Sequence, residues 1–173
     1  TASKGINMDR GLIERFEAGG QELADAVAGL TPEEILQQIG PGSWSIQQLV
    51  IHLADADSIA IDRMKRVITE EQPLLLYAHE SAYVDRLHCD HQSIEDAVEL
   101  FRIGRRQFAK VLRLLPDESF ERAGTHSIVG VVSLADLIET YVDHLTHHLG
   151  FLLQKKAALT KQAATDESDH DSI

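Results

Sequence analysis

Residues 133–152 read SLADLIETYVDHLTHHLGFL, and their spacing decides the fold. Leu134, Leu137, Ile138, Tyr141, Leu145, Leu149 and Leu152 recur in steps of three and four, the rhythm of one buried face of a helix. Ser133, with Asp136 three positions on, supplies a capping signal at its start. His144 and His148 fall on the same stripe. Four residues apart, they project from one helical face. Imidazole is an uncommon choice on an apolar face, and two such rings can share one metal ion. A third nitrogen from a facing helix would leave one coordination position open, the layout of catalytic rather than structural sites.

That facing helix is legible upstream. Ser45 and Gln48 form a capping-box pair, and Leu49, His52, Leu53, Ala56, Ile59, Ala60 and Met64 make a second stripe. His52 is its only imidazole and points at the core. A first helix spans about Asp9 to Leu30, with a kink expected at Gly19-Gly20. Thr31-Pro32-Glu33-Glu34 then starts a short helix that stops at Gly40-Pro41-Gly42. A further long helix begins at Ser93 and runs through Ala97, Leu100, Phe101, Phe108, Val111 and Leu112 to Pro116. Residues 73–92 read as a long, partly irregular connection, and 117–132 as a turn or small hairpin near the active end. Four amphipathic helices predict an all-α fold, a four-helix bundle with a long crossover connection. Residues 1–8 are expected to be a flexible N-terminus, 9–157 the bundle, and 158–173 an acidic, disordered tail.

Composition narrows the partners. A chain of 173 residues is long enough for one domain with its own core. Cys89 is the single cysteine, so no internal disulfide forms. No run reaches the ~20 apolar residues of a membrane helix, and the first residues lack signal-peptide order; a cytoplasmic location is expected. The net charge of −12 argues against nucleic acid. Arg102, Arg105, Arg106, Lys110 and Arg113 read as one solvated helix face.

Other residues compete for chemistry. His147 is a rival partner for His144, since 144/147 is also a chelating spacing, although 144/148 follows the stripe more closely. His88-Cys89-Asp90-His91 lacks obvious further ligands and reads as a loop before the Ser93 cap. Cys89 would be reactive only if neighbours lowered its pKa. Asp55, Asp57 and Asp143 lie near the histidines, either as plain surface charge or as groups that orient a ring or act as base. Trp44 packs the start of its helix. Metal affinity is expected to fall below about pH 6 as imidazoles take up protons.

Two motifs together resemble the DinB/YfiT-like superfamily. Residues 41–55, PGSWSIQQLVIHLAD, are similar to its Trp-Ser, helix, His-Leu signature, and residues 143–150, DHLTHHLG, to its C-terminal His-x-x-x-His. The likeness extends from about Asp9 to Leu153. It implies a four-helix bundle with a long crossover, and a divalent transition metal, zinc or nickel, on His52, His144 and His148. It also implies a homodimer acting on a small-molecule substrate, as a hydrolase or as an S-transferase using a low-molecular-weight thiol. No catalytic residue is assigned by it. The rival classes are a metal-binding or sensor bundle without catalysis, and a metal-free bundle with hydrogen-bonded core histidines.

Overall fold

A computed structural model describes the backbone of residues 8–170 and the side chains through residue 161. Four long helices build the bundle: α1 (Gly11–Val27), α3 (Ile46–Thr69), α5 (Ile94–Leu114) and α6 (Leu134–His170). Both α1 and α3 pack against α5 and α6, so α1 and α3 lie diagonally opposed. The start signals act as expected. Ser45 accepts from the Gln48 backbone while the Gln48 side chain accepts from the Ser45 N–H, and Thr31 and Glu34 do the same for short α2 (Pro32–Leu36). Ser133 and Asp136 repeat the exchange at the head of α6. Each pair satisfies backbone donors that a helix start otherwise leaves open.

The connection between α3 and α5 is built rather than loose. It holds strand β1 (Leu74–Leu75), helix α4 (Glu80–Arg86) and a 3₁₀ turn over Cys89–His91. β1 pairs in parallel with β2 (Ala123–His126), which pairs antiparallel with β3 (Gly130–Ser133). The hairpin expected in 117–132 is therefore present, and the crossover adds a third strand to it. At the other end, the Gln47 side chain donates to the Cys89 and Gln92 carbonyls, each at 2.9 Å. Gly124 marks the tightest part of the sheet: a Cβ there would sit 2.9 Å from the Pro73 carbonyl oxygen.

Three expectations need correction. α1 is unbroken at Gly19-Gly20. These glycines serve packing instead, since a Cβ on Gly19 would lie 2.4 Å from Leu145 Cδ2 and 2.6 Å from an Arg105 nitrogen. Arg105 is not on a solvated face. It is 1% exposed, and its partner Asp57, also read as a candidate for surface charge, is 2% exposed. The guanidinium donates to Asp57 Oδ1 at 2.9 Å, the Tyr141 carbonyl at 2.8 Å and the Phe16 carbonyl at 3.3 Å. Phe16 and Phe101 sandwich it at 4.5 and 4.3 Å. This cation bridges the two apolar clusters of the core, one around Phe16, Met64 and Leu112 and the other around Leu23, Val50 and Phe101.

Third, α6 continues past residue 157. Leu159 is 4% exposed and packs with Leu152 in the second cluster, while Lys156 donates to the Ala26 and Ala28 carbonyls at the end of α1. An Ala- and Lys-rich stretch extends a helix readily once its face finds a partner. At the other terminus Met8 is buried in the first cluster. The expectation for residues 1–7 lies outside the described residues, as does the end of the acidic tail at 171–173. Among the described residues no helix is long and apolar enough to cross a membrane.

Candidate metal centre

His52 comes from α3 and His144 and His148 from α6, and the structure brings their rings together. His144 Nε2 lies 3.3 Å from His52 Nε2 and 3.1 Å from His148 Nε2. One ligand atom from each of the three falls within 4.8 Å of the others. Nitrogens about 2.0–2.1 Å from a common zinc ion in tetrahedral arrangement would be about 3.3 Å apart, so the spacing fits such an ion. The donor chemistry fits as well. Both contacts converge on one His144 nitrogen, which offers either one hydrogen or one lone pair and so has a single well-directed hydrogen bond to give. His148 Nδ1 is also buried without a partner among the described residues. A shared cation can take a lone pair from all three rings at once.

The electrostatics keep the rings neutral. Burial, reinforced by His148, His52 and Arg105, lowers the His144 pKa to about 3. Burial and then His52 and His147 lower that of His148 to about 4. Burial alone lowers His52. Neutral imidazole is the ligating form, so these groups are prepared to bind metal well below the ordinary histidine range.

His147 stays outside the cluster. It is exposed on α6, with its ring edge-on to Phe151 at 4.6 Å. Trp44 does pack the start of α3, and its ring sits 5.1 Å from that of His52. Asp143 is exposed, and Asp57 is engaged by Arg105 rather than by a histidine. Cys89 is buried, donates weakly to the Tyr83 carbonyl, and has its pKa raised by burial and by Asp55 and Asp90. It is no thiolate nucleophile. His88 and His91 stand 6.4 Å apart and join no ligand cluster among the described residues.

A cleft of about 240 Å³ opens beside the cluster, lined by His52 and His144 together with Asp55, Arg63, Glu80 and Tyr141. Two of these, Arg63 and Glu80, were missed from sequence. Glu80, on α4 of the crossover, places Oε2 3.8 Å from His52 Nε2. Arg63 lies on α3, and its guanidinium donates to the Tyr141 hydroxyl at 2.7 Å and to the Leu76 carbonyl. Arg63 follows His52, Ala56 and Ile59 along one face of α3, a signal that could have flagged it; Glu80 carries no such local signal. Asp55 also faces this space, and burial raises its pKa.

Known proteins resemble this chain over most of its length. The model of the DinB superfamily matches residues 15–152. "Putative metal-dependent hydrolase OB0782" of Oceanobacillus iheyensis is 29% identical over 140 residues, 81% of either chain. "Putative metal-dependent hydrolase YfiT" of Bacillus subtilis is 25% identical over 143 residues, 82% of this chain and 80% of that one. A solved structure of YfiT, titled for its "unusual four-helix bundle topology", superposes with a TM-score of 0.83 at 23% identity, covering 92% of this chain and 93% of that one.

Proposed function

The chain belongs to the DinB superfamily, and on that premise we propose that it is a metal-dependent hydrolase of a small molecule bound in the cleft beside His52, His144 and His148. The observation that carries the reading is the convergence of three Nε2 atoms on one point, at spacings that fit a shared tetrahedral ion. A divalent ion on three neutral nitrogens, zinc or nickel by the donor set, would supply Lewis-acid activation of a nucleophile.

The chain's own groups define the remaining tasks. Glu80 is the carboxylate nearest the cluster, and it is placed to accept a proton from an incoming nucleophile. Asp55 lines the same cleft, and burial raises its pKa. Tyr77, Ala78 and Tyr83 come from the crossover, so the built connection shapes the wall of the cleft. The volume suits a small substrate, below the ~300 Å³ at which drug-sized sites begin.

The test starts from protein purified without a histidine tag. Elemental analysis should find about one equivalent of transition metal, and His144→Ala should reduce it below about a tenth. A panel of small esters, amides and electrophiles, with and without glutathione or bacillithiol, then separates the chemistries. Hydrolysis without added thiol, abolished in Glu80→Gln with metal retained, is the expected result. An S-conjugate formed only with thiol would replace hydrolysis by S-transfer. A large rise in melting temperature on metal binding, with no turnover on any substrate, would point to a sensor module.

A further inference from the structure

Arg63 is the one cationic side chain among the residues lining the cleft, and no carboxylate among the described residues lies within ion-pair distance of it. Other arginines with buried or half-buried side chains are matched: Arg105 meets Asp57, Arg113 meets Glu14 and Glu17, and Arg102 meets Glu99, while Arg86 and Arg106, which have no ion pair among the described residues, are exposed to solvent. Arg63 instead reaches two neutral oxygens, the Tyr141 hydroxyl and the Leu76 carbonyl, and its Nε is buried with no partner. In a chain of net charge −12, a partly buried guanidinium left without an acid is costly. Fastening the crossover to α6 needs donors. It does not need an uncompensated charge.

The groups around Arg63 extend the pattern. Tyr141 Oη accepts from Arg63, so its own hydrogen remains to be donated. His126 Nδ1 accepts from the Ile128 and Val129 N–H groups, which leaves Nε2 as an N–H donor in the neutral ring. His126 lies close enough to Arg63 for that charge to lower its pKa, after burial. Arg63, Tyr141 and His126 therefore offer donors to the cleft with no carboxylate among the described residues within ion-pair distance of the guanidinium, and the same cleft is lined by His52, His144, Asp55 and Glu80. Ile59, Ala56 and Tyr83 give the wall an apolar component.

We infer that Arg63, assisted by Tyr141 and His126, binds the carboxylate of the substrate, a small monocarboxylate with an apolar body whose reactive group is then held toward the histidines. This rests on the proposed metal-dependent reading for the identity of the reacting end, but the anion site itself does not. A planar carboxylate suits the guanidinium fork. A dianion such as phosphate is disfavoured by Asp55 and Glu80 in the same cleft.

The experiment compares benzoate with its neutral isostere benzamide on zinc-loaded and on metal-free full-length protein, reading the arginine Nε–H resonances by NMR and the affinity by calorimetry. The Arg63 Nε–H signal, assigned through bonds in the wild type, should shift saturably with benzoate and stay unmoved with benzamide. Benzoate should bind about tenfold or more tighter, as expected for a charge-assisted pair. Arg63→Gln should remove most of that preference while keeping its zinc, and Arg63→Lys should restore part of it. An unmoved Arg63 signal while the His144 and His148 rings respond would place the anion at the metal and overturn the inference. So would absence of benzoate binding, or tighter binding of inorganic phosphate. Failure of zinc to bind the three histidines, with the Arg63 response intact in metal-free protein, would sink the metal reading alone.

Discussion

Two polar clusters sit in this bundle, and they differ in how completely they are answered. At the centre Arg105 is met on every side, by a carboxylate, two carbonyls and two aromatic faces. Beside the cleft, Arg63 lacks an acid, three imidazole nitrogens crowd together, and His148 Nδ1 is buried without a partner among the described residues. Both contain charge or potential charge within a helical core. The central guanidinium is fully answered and ties three helices together, although its partner Asp57 keeps one buried oxygen, Oδ2, without a hydrogen bond among the described residues. The cleft cluster still carries valence for a ligand. What separates the two arginines is the presence of an acid: Arg105 has Asp57, and Arg63 has none among the described residues within ion-pair distance.

The contrast can be broken most forcefully at the centre. Arg105→Ala strands the buried Asp57 carboxylate and should cost about 3–5 kcal/mol, read as a fall in the urea midpoint. The double variant Arg105→Met with Asp57→Leu should cost much less, because no lone charge remains. If the double variant is as unstable as the single one, the cluster is more than a structural pair. Gly19→Ala comes next. Its methyl meets Leu145 and Arg105 at well under contact distance, so overpacking should cost about 1–3 kcal/mol.

A third effect is set by pH and belongs to the cleft. In metal-free protein the folded histidines have lowered pKa values, with His144 at about 3 and His148 at about 4. Unfolded imidazoles take up protons near pH 6.5. As pH falls from 7.5 toward 5, the unfolded state binds protons that the folded state refuses, so stability must fall. Asp55 and Asp57, with raised pKa values, act in the opposite sense at lower pH. Denaturant titrations at pH 7.5 and 5.5 should show the loss in the wild type and a smaller one in His144→Ala. An unchanged midpoint would mean that the rings are not desolvated as described. The smallest expected effect is that of His147→Ala: within about 0.5 kcal/mol of wild type, with metal content intact. Equal metal loss from His147→Ala and His144→Ala would overturn the ligand choice.

What was legible in the sequence was local. The Ser45–Gln48 and Ser133–Asp136 pairs and the stripes they begin are short-range patterns, and they placed His52, His144 and His148 on facing helices. Arg105 was hidden because charge argues for solvent until a partner is known, and Asp57 lies on another helix. A clue was present, since Arg105 lies on the stripe between Phe101 and Phe108. The β1–β2 pairing and the approach of Glu80 to His52 join segments distant in the chain, and no periodicity announces them. The end of α6 was misjudged for a related reason: Leu159 is apolar in a polar context, and only the packed structure shows what covers it.

The cap at Ser133 has a consequence for how this protein can vary. It fixes where α6 begins, and both α6 histidines are positioned by counting turns from that point. A residue inserted in the turn between β2 and β3 is absorbed at the surface. One inserted between Ser133 and His144 would swing the imidazoles about 100° around the axis, toward a neighbouring wall of the bundle. Indels should therefore be tolerated on one side of a single serine and forbidden on the other.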